Sequence, residues 1–141
     1  MYKKTITYED YDGNKRTEDF FFSLTTAELT KMQMSVEGGY AAMIDKMVKA
    51  QDMRSLINAI EDIVIKSYGI KSDDGRRFIK NSTITEEFMQ TPAYSSLYME
   101  LITDENAAAD FINKIIPSDL AAKVEKYNKE NPTVTNLPSN T

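Results

Sequence analysis

Apolar residues recur along this chain first with the period of a strand and then with the period of a helix. From Lys3 to Tyr8 they alternate with polar ones, and Ile6 and Tyr8 share the parity of Tyr2. Asp10-Tyr11-Asp12-Gly13-Asn14 is a turn signal, because Gly and Asn tolerate positive φ. Arg16 to Phe22 returns as a second strand. Phe20 and Phe22 fall on one of its faces and Phe21 on the other, which puts aromatic surface on both sides. A two-stranded hairpin is marginal in water by itself. The hairpin predicted over residues 1–22 must therefore pack on helices or pair with another chain.

From Thr25 the pattern turns helical. Thr25 and Glu28 have capping-box spacing and open a short helix that runs to about Ser35. Gly38-Gly39 interrupts the chain. Tyr40, Met43, Ile44, Met47 and Val48 then form the stripe of an amphipathic helix. Asp52 is placed to cap the next helix, whose apolar stripe is Met53, Leu56, Ile57, Ile60, Ile63, Val64 and Tyr68. Gly69 reads as its C-terminal stop. Residues 70–83 are polar and turn-rich.

Thr83 and Glu86 repeat the capping-box spacing before a short helix around Phe88. Thr91-Pro92 is an N-cap followed by proline at the first helical position, and Tyr94, Leu97, Tyr98, Leu101 and Ile102 are that helix's stripe. Asp104 caps a helix burying Phe111, Ile112 and Ile115. Pro117-Ser118 restarts the chain into a last helix with Leu120, Val124 and Tyr127. The predicted fold is α+β and mostly α: an N-terminal β-hairpin packed on about five to six short helices. It forms a single domain over residues 1–127, with a disordered C-terminal tail at 128–141.

Composition narrows the function classes. The 141 residues suit one domain, and 41% hydrophobic content is enough for a core. There is no His and no Cys. Disulfides, thiolate nucleophiles, zinc–cysteine sites and histidine-based acid–base or metal chemistry are therefore excluded. No metal, no cofactor and no catalytic residue is expected, and the reading is non-enzymatic. Lys and Arg number 17 against 22 Asp and Glu, for a net charge of −5. That balance does not suit a general nucleic-acid binder. No apolar run approaches the roughly 20 residues that span a bilayer, and no signal segment opens the chain. Neither nucleic acid nor membrane is an expected partner.

Few residues offer chemistry. The Asp10–Asn14 run resembles the start of a calcium loop. However, Lys15 and Phe21 occupy the positions that need Gly and an acidic ligand, so the turn reading prevails. Between Lys66 and Lys80, five Lys and Arg face two Asp, with Arg76 and Arg77 adjacent after Ser72-Asp73-Asp74-Gly75. This segment is either a solvated loop, a docking site for an acidic partner segment, or an RNA contact, the last needing more basic surface. Methionine is enriched: Met32, Met34, Met43, Met47 and Met53 lie close together. Met adapts to varied apolar partners, although Met43 and Met47 also suit a core. Met32 and Met34 point to different sides of a helix, so at least one is a candidate for exposed surface. The candidate partner-binding residues are Phe20, Phe21, Phe22, Met32, Met34, Arg76 and Arg77.

The run from Ser67 to Lys80, followed by Glu87-Phe88, Thr91-Pro92-Ala93-Tyr94, Met99-Glu100-Leu101 and Phe111-Ile112-Asn113, resembles tail assembly chaperones of long-tailed, siphovirus-type phages of Gram-positive bacteria. The aromatic hairpin with Asp12-Gly13 at its turn resembles them too. The likeness spans residues 1–117 and is densest from 67 to 113. It implies a protein of the host cell cytoplasm that binds the tape measure protein. Such a chaperone keeps its client soluble while tail-tube subunits polymerise, and is not kept in the mature virion. It further implies a longer form of the chain made by frameshifting, with that form and the tail tube protein as further partners, and homo-oligomers as another expectation. The alternative is a tail structural or connector protein that assembles through its N-terminal hairpin.

Overall fold

A computed structural model describes residues 1–117 and Lys126. Strands β1 (Tyr2–Glu9) and β2 (Lys15–Phe22) form the expected hairpin, pairing in unbroken register from Tyr2↔Phe22 to Glu9↔Lys15. Its turn is locked by Asp10, whose carboxylate accepts from the backbone amides of Asp12 and Asn14 and binds Arg16 at 2.6 Å. Helices α1 (Thr26–Met34), α2 (Tyr40–Lys49) and α3 (Met53–Ser67) follow. The Thr25–Glu28 capping box is complete, with both reciprocal bonds made. Asp52 caps α3 through the Ser55 amide.

The sheet is larger than the sequence pattern suggests. Helix α3 ends at Ser67, and the chain passes straight into β3 (Tyr68–Lys71), which turns back as β4 (Phe78–Ile79). Gly69, read as a helix stop, is instead the second residue of a strand. The four strands stand in the order β1-β2-β3-β4, every neighbour antiparallel. Among the described residues, β2 and β3 pair only at Phe21↔Gly69 and Phe22↔Tyr68, with the Ser23 amide donating to the Ser67 carbonyl at 2.8 Å just beyond.

Helices α4 (Ser82–Met89), α5 (Pro92–Thr103) and α6 (Glu105–Ile115) complete the described chain. Helix α4 is capped by Asn81 accepting from the Ile84 amide, two residues earlier than the Thr83–Glu86 spacing implied. Asn is among the strongest N-cap residues, and Asn81 already has extended backbone there. Thr91 and Asp104 cap α5 and α6 as expected. The expected last helix from Pro117 and the tail at 128–141 lie outside the described residues, Pro117 and Lys126 aside.

The core forms where the even-numbered face of the hairpin meets α3 to α6. Phe22 is fully buried, with Phe111 edge-on at 5.2 Å and Tyr68 at 5.7 Å. Tyr68 stacks on Phe88 at 4.0 Å. Ile63, Ala93, Leu97 and Leu101 fill the layer beneath. Two ion pairs tie the layers together: Lys4–Glu100 links β1 to α5, and Lys80–Glu28 links the end of β4 to α1, both at 2.8 Å. Lys80 also donates to the carbonyl of Lys66 at 3.1 Å.

Partial burial raises the Glu28 pKa, but the hydrogen bond from the Lys80 ammonium and that from the Thr25 amide outweigh it, and the carboxyl sits below its ordinary 4.5. A depressed folded pKa means that the stabilisation is present above about pH 4.5 and is lost as pH falls through the folded value. Glu28→Gln is expected to cost under about 1 kcal/mol near neutral pH, since the pair is partly solvated. Urea melts at neutral and at acid pH check this, with the difference from the parent disappearing in acid.

Candidate functional site

Three surfaces carry the residues expected to meet a partner. The first is the aromatic end of β2. Phe22 is core, because the face it shares with Tyr2 and Tyr68 is the one that α4 and α6 cover. Phe20 shares that face and is half-buried, with its ring 5.3 Å from Phe88. Phe21 points to the other face, between Lys3 and Gly69, and is also half-buried. The expected three-phenylalanine surface therefore narrows to Phe20 and Phe21. Beyond Phe21, β3 diverges from β2 and leaves a cleft of about 340 Å³, walled by Glu18 to Phe21 on one side and Tyr68 to Lys71 on the other.

The second surface is methionine-rich. Residues two apart on α1 separate as helical geometry requires: Met32 is buried at 7% exposure, while Met34 is 41% exposed. Met43 and Met47 are half-buried and, with Tyr40 of the same helix, line a shallow groove of about 290 Å³ between α2 and α3, with Ala59 and Asp62 opposite. Val48 and Met53, either side of the α2–α3 turn, are 53% and 46% exposed. Val48 and Met53 belong to the apolar stripes of α2 and α3 that the periodicity predicts. Both lie at helix ends, where the stripe runs past the neighbouring helix. The groove wall is polar at one point. The Tyr40 hydroxyl donates to Asp62 at 3.2 Å, and Asp62 also pairs with Lys66 at 3.0 Å. Burial, then the Asp62 charge, drives the Tyr40 pKa well above the ordinary phenol value, so the hydroxyl stays protonated.

Arg76 and Arg77, the third candidate surface, stand exposed at the β3–β4 turn. The turn holds itself without their guanidinium groups. Asp74 accepts from the Ser72 hydroxyl at 2.7 Å and from the Arg76 amide at 3.0 Å, and the Arg77 amide donates to the Ser72 hydroxyl oxygen at 3.0 Å. The Arg76 amide and then the Ser72 hydroxyl hold the Asp74 carboxyl below its ordinary pKa. Among the described residues, neither guanidinium has an ion-pair partner. The three surfaces come from different parts of the fold. What they share is side chains suited to contact.

Among the described residues, no group of three or more acidic side chains converges as a metal site. No described helix is long and apolar enough to cross a membrane. No curated protein and no solved structure matches the chain. A family model described as phage tail assembly chaperone matches residues 1–141, the whole sequence. With that full-length match, the order of motifs and the hairpin-on-helices fold converge, and the chain belongs to the phage tail assembly chaperone family.

Proposed function

We propose that this chaperone binds the tape measure protein and keeps it soluble in the host cytoplasm until the tail tube polymerises, and that the chaperone leaves before the virion matures. The observation that carries the reading is the apolar surface between residues 34 and 53: Met34, Val48 and Met53 exposed, with Met43 and Met47 in the groove between α2 and α3. Unbranched, polarizable side chains repack against many apolar helical stripes, which suits a long helical client with no single docking motif. The net charge of −5 keeps such complexes apart from one another. A frameshifted longer form would extend from the C-terminus and bring the tail tube protein to the same complex.

Co-expression with the tape measure protein of the same genome tests this. The soluble fraction of the client is expected to rise several-fold with the parent chain. Most of the gain should be lost with Met34→Glu, Val48→Glu and Met53→Glu combined, three exposed positions whose change spares the core. A client equally insoluble with and without the chaperone refutes the reading. In the same assay Arg76→Glu with Arg77→Glu reports on the basic turn, and an unchanged pull-down removes that turn as a docking site.

A further inference from the structure

Strand β2 is eight residues long, but β3 pairs with only its last two. Among the described residues, no strand pairs with Lys15 to Phe20 on that side. The segment Lys15-Arg16-Thr17-Glu18-Asp19 is exposed throughout. Its charges are antisymmetric about Thr17: two positive residues precede it and two negative residues follow. Side chains opposite each other in an antiparallel pair lie on the same face of the sheet. If two copies of this strand pair about a two-fold axis at Thr17, Lys15 meets Asp19 of the other copy on one face. Arg16 meets Glu18 on the other face, Thr17 meets Thr17, and the symmetry repeats both ion pairs.

We propose that this open edge of β2 pairs with the same edge of a second copy, joining the two four-stranded sheets into one. The occupant is chosen by charge. A strand reading + + 0 − − is complementary to itself when reversed and opposes like charges when paired in parallel. Unpaired edges otherwise recruit strands indiscriminately, and charge order is a known way to restrict them. The existing bonds of these side chains leave capacity. Arg16 binds Asp10 and lies 3.8 Å from Glu18, the Tyr8 hydroxyl donates to Glu18, and Thr5 donates to Asp19 at 2.6 Å. A guanidinium and a carboxylate each have further donor or acceptor sites. Lys15 has no ion-pair partner among the described residues. The divergence of β3 supplies the room: in this register Asn14 of the second copy lies beside Phe20, at the mouth of the cleft. The inference is independent of the client, since dimers can form whether or not the tape measure protein binds.

Sedimentation of the full chain over a concentration series tests it. The parent chain is expected to dimerise, and added salt is expected to weaken the dimer. Lys15→Glu with Arg16→Glu makes the edge wholly acidic, and Glu18→Lys with Asp19→Lys makes it wholly basic. Each variant alone should dimerise at least about tenfold more weakly. Mixing the two should restore dimers as a heteropair, and circular dichroism of each should match the parent. The proposal is overturned by a parent chain that stays monomeric up to about 1 mM, or by single-sign variants that dimerise as well as the parent. It is equally overturned if the two variants, each folded, fail to pair on mixing.

Discussion

Phe22→Ala is expected to cost about 3–5 kcal/mol, the range for deleting a large aromatic side chain from a packed core. The ring has no solvent exposure and stands among Tyr68, Phe88 and Phe111, contributed by β3, α4 and α6. No single element can move in to fill the cavity, because each is fixed by its own neighbours. A domain of this size has only about 5–15 kcal/mol in total, so the variant sits near its unfolding threshold. Phe21→Ala, one residue earlier and half-exposed on the opposite face, is expected to cost about 1 kcal/mol or less. Urea midpoints of the two variants check the contrast. Equal losses would mean that the face assignment of β2 is wrong.

The second large effect lies across the seam. A Cβ on Gly69 would stand 2.6 Å from the Phe78 ring and 2.8 Å from the carbonyl oxygen of Ile79. The ring can rotate away, but the carbonyl belongs to β4, which pairs with β3 at Ile70↔Ile79. Gly69→Ala must therefore push β3 and β4 apart or pull β3 from β2. The expected loss is about 1–3 kcal/mol. Hydrogen exchange should show it first at Ile70 and Lys71, ahead of any change in β1. Gly75→Ala is the control. Its Cβ meets nothing within 4 Å, so its cost, about 1 kcal/mol, comes only from a left-handed backbone at φ +73°.

These two positions also mark what the sequence could and could not show. The first hairpin was legible because β1 alternates up to Tyr8, a Gly–Asn turn follows, and the chain returns to an aromatic run at Phe20 to Phe22. Helix starts were legible wherever capping is a local bond, as at Thr25, Asp52, Thr91 and Asp104. Strand β3 was not legible. Four residues hold too little alternation to count, and its partner on β2 lies on the far side of α1, α2 and α3. A glycine after a long helical stripe then reads as a stop, although this one is there to admit the Phe78 ring. The parity of Phe20, Phe21 and Phe22 was readable, yet which parity is buried depends on Phe88 and Phe111, remote in the chain. In the same way, helix geometry separates Met32 from Met34, but only the packing of α1 decides which faces water. The candidate contact surfaces were legible as residue types, and their depth was not.

Lys80 stands at one corner of the molecule with bonds to Glu28 at the start of α1 and to the carbonyl of Lys66 near the end of α3. It thus brackets the entire three-helix excursion that separates the two hairpins. The groove and the exposed Met34, Val48 and Met53 lie inside that bracket. Opening the groove between α2 and α3 would therefore strain a segment whose ends are pinned to each other through Lys80. Under the two proposals above, a client would be met by the α1–α3 segment and a second copy by β2, so the two contacts would fall on different parts of the chain.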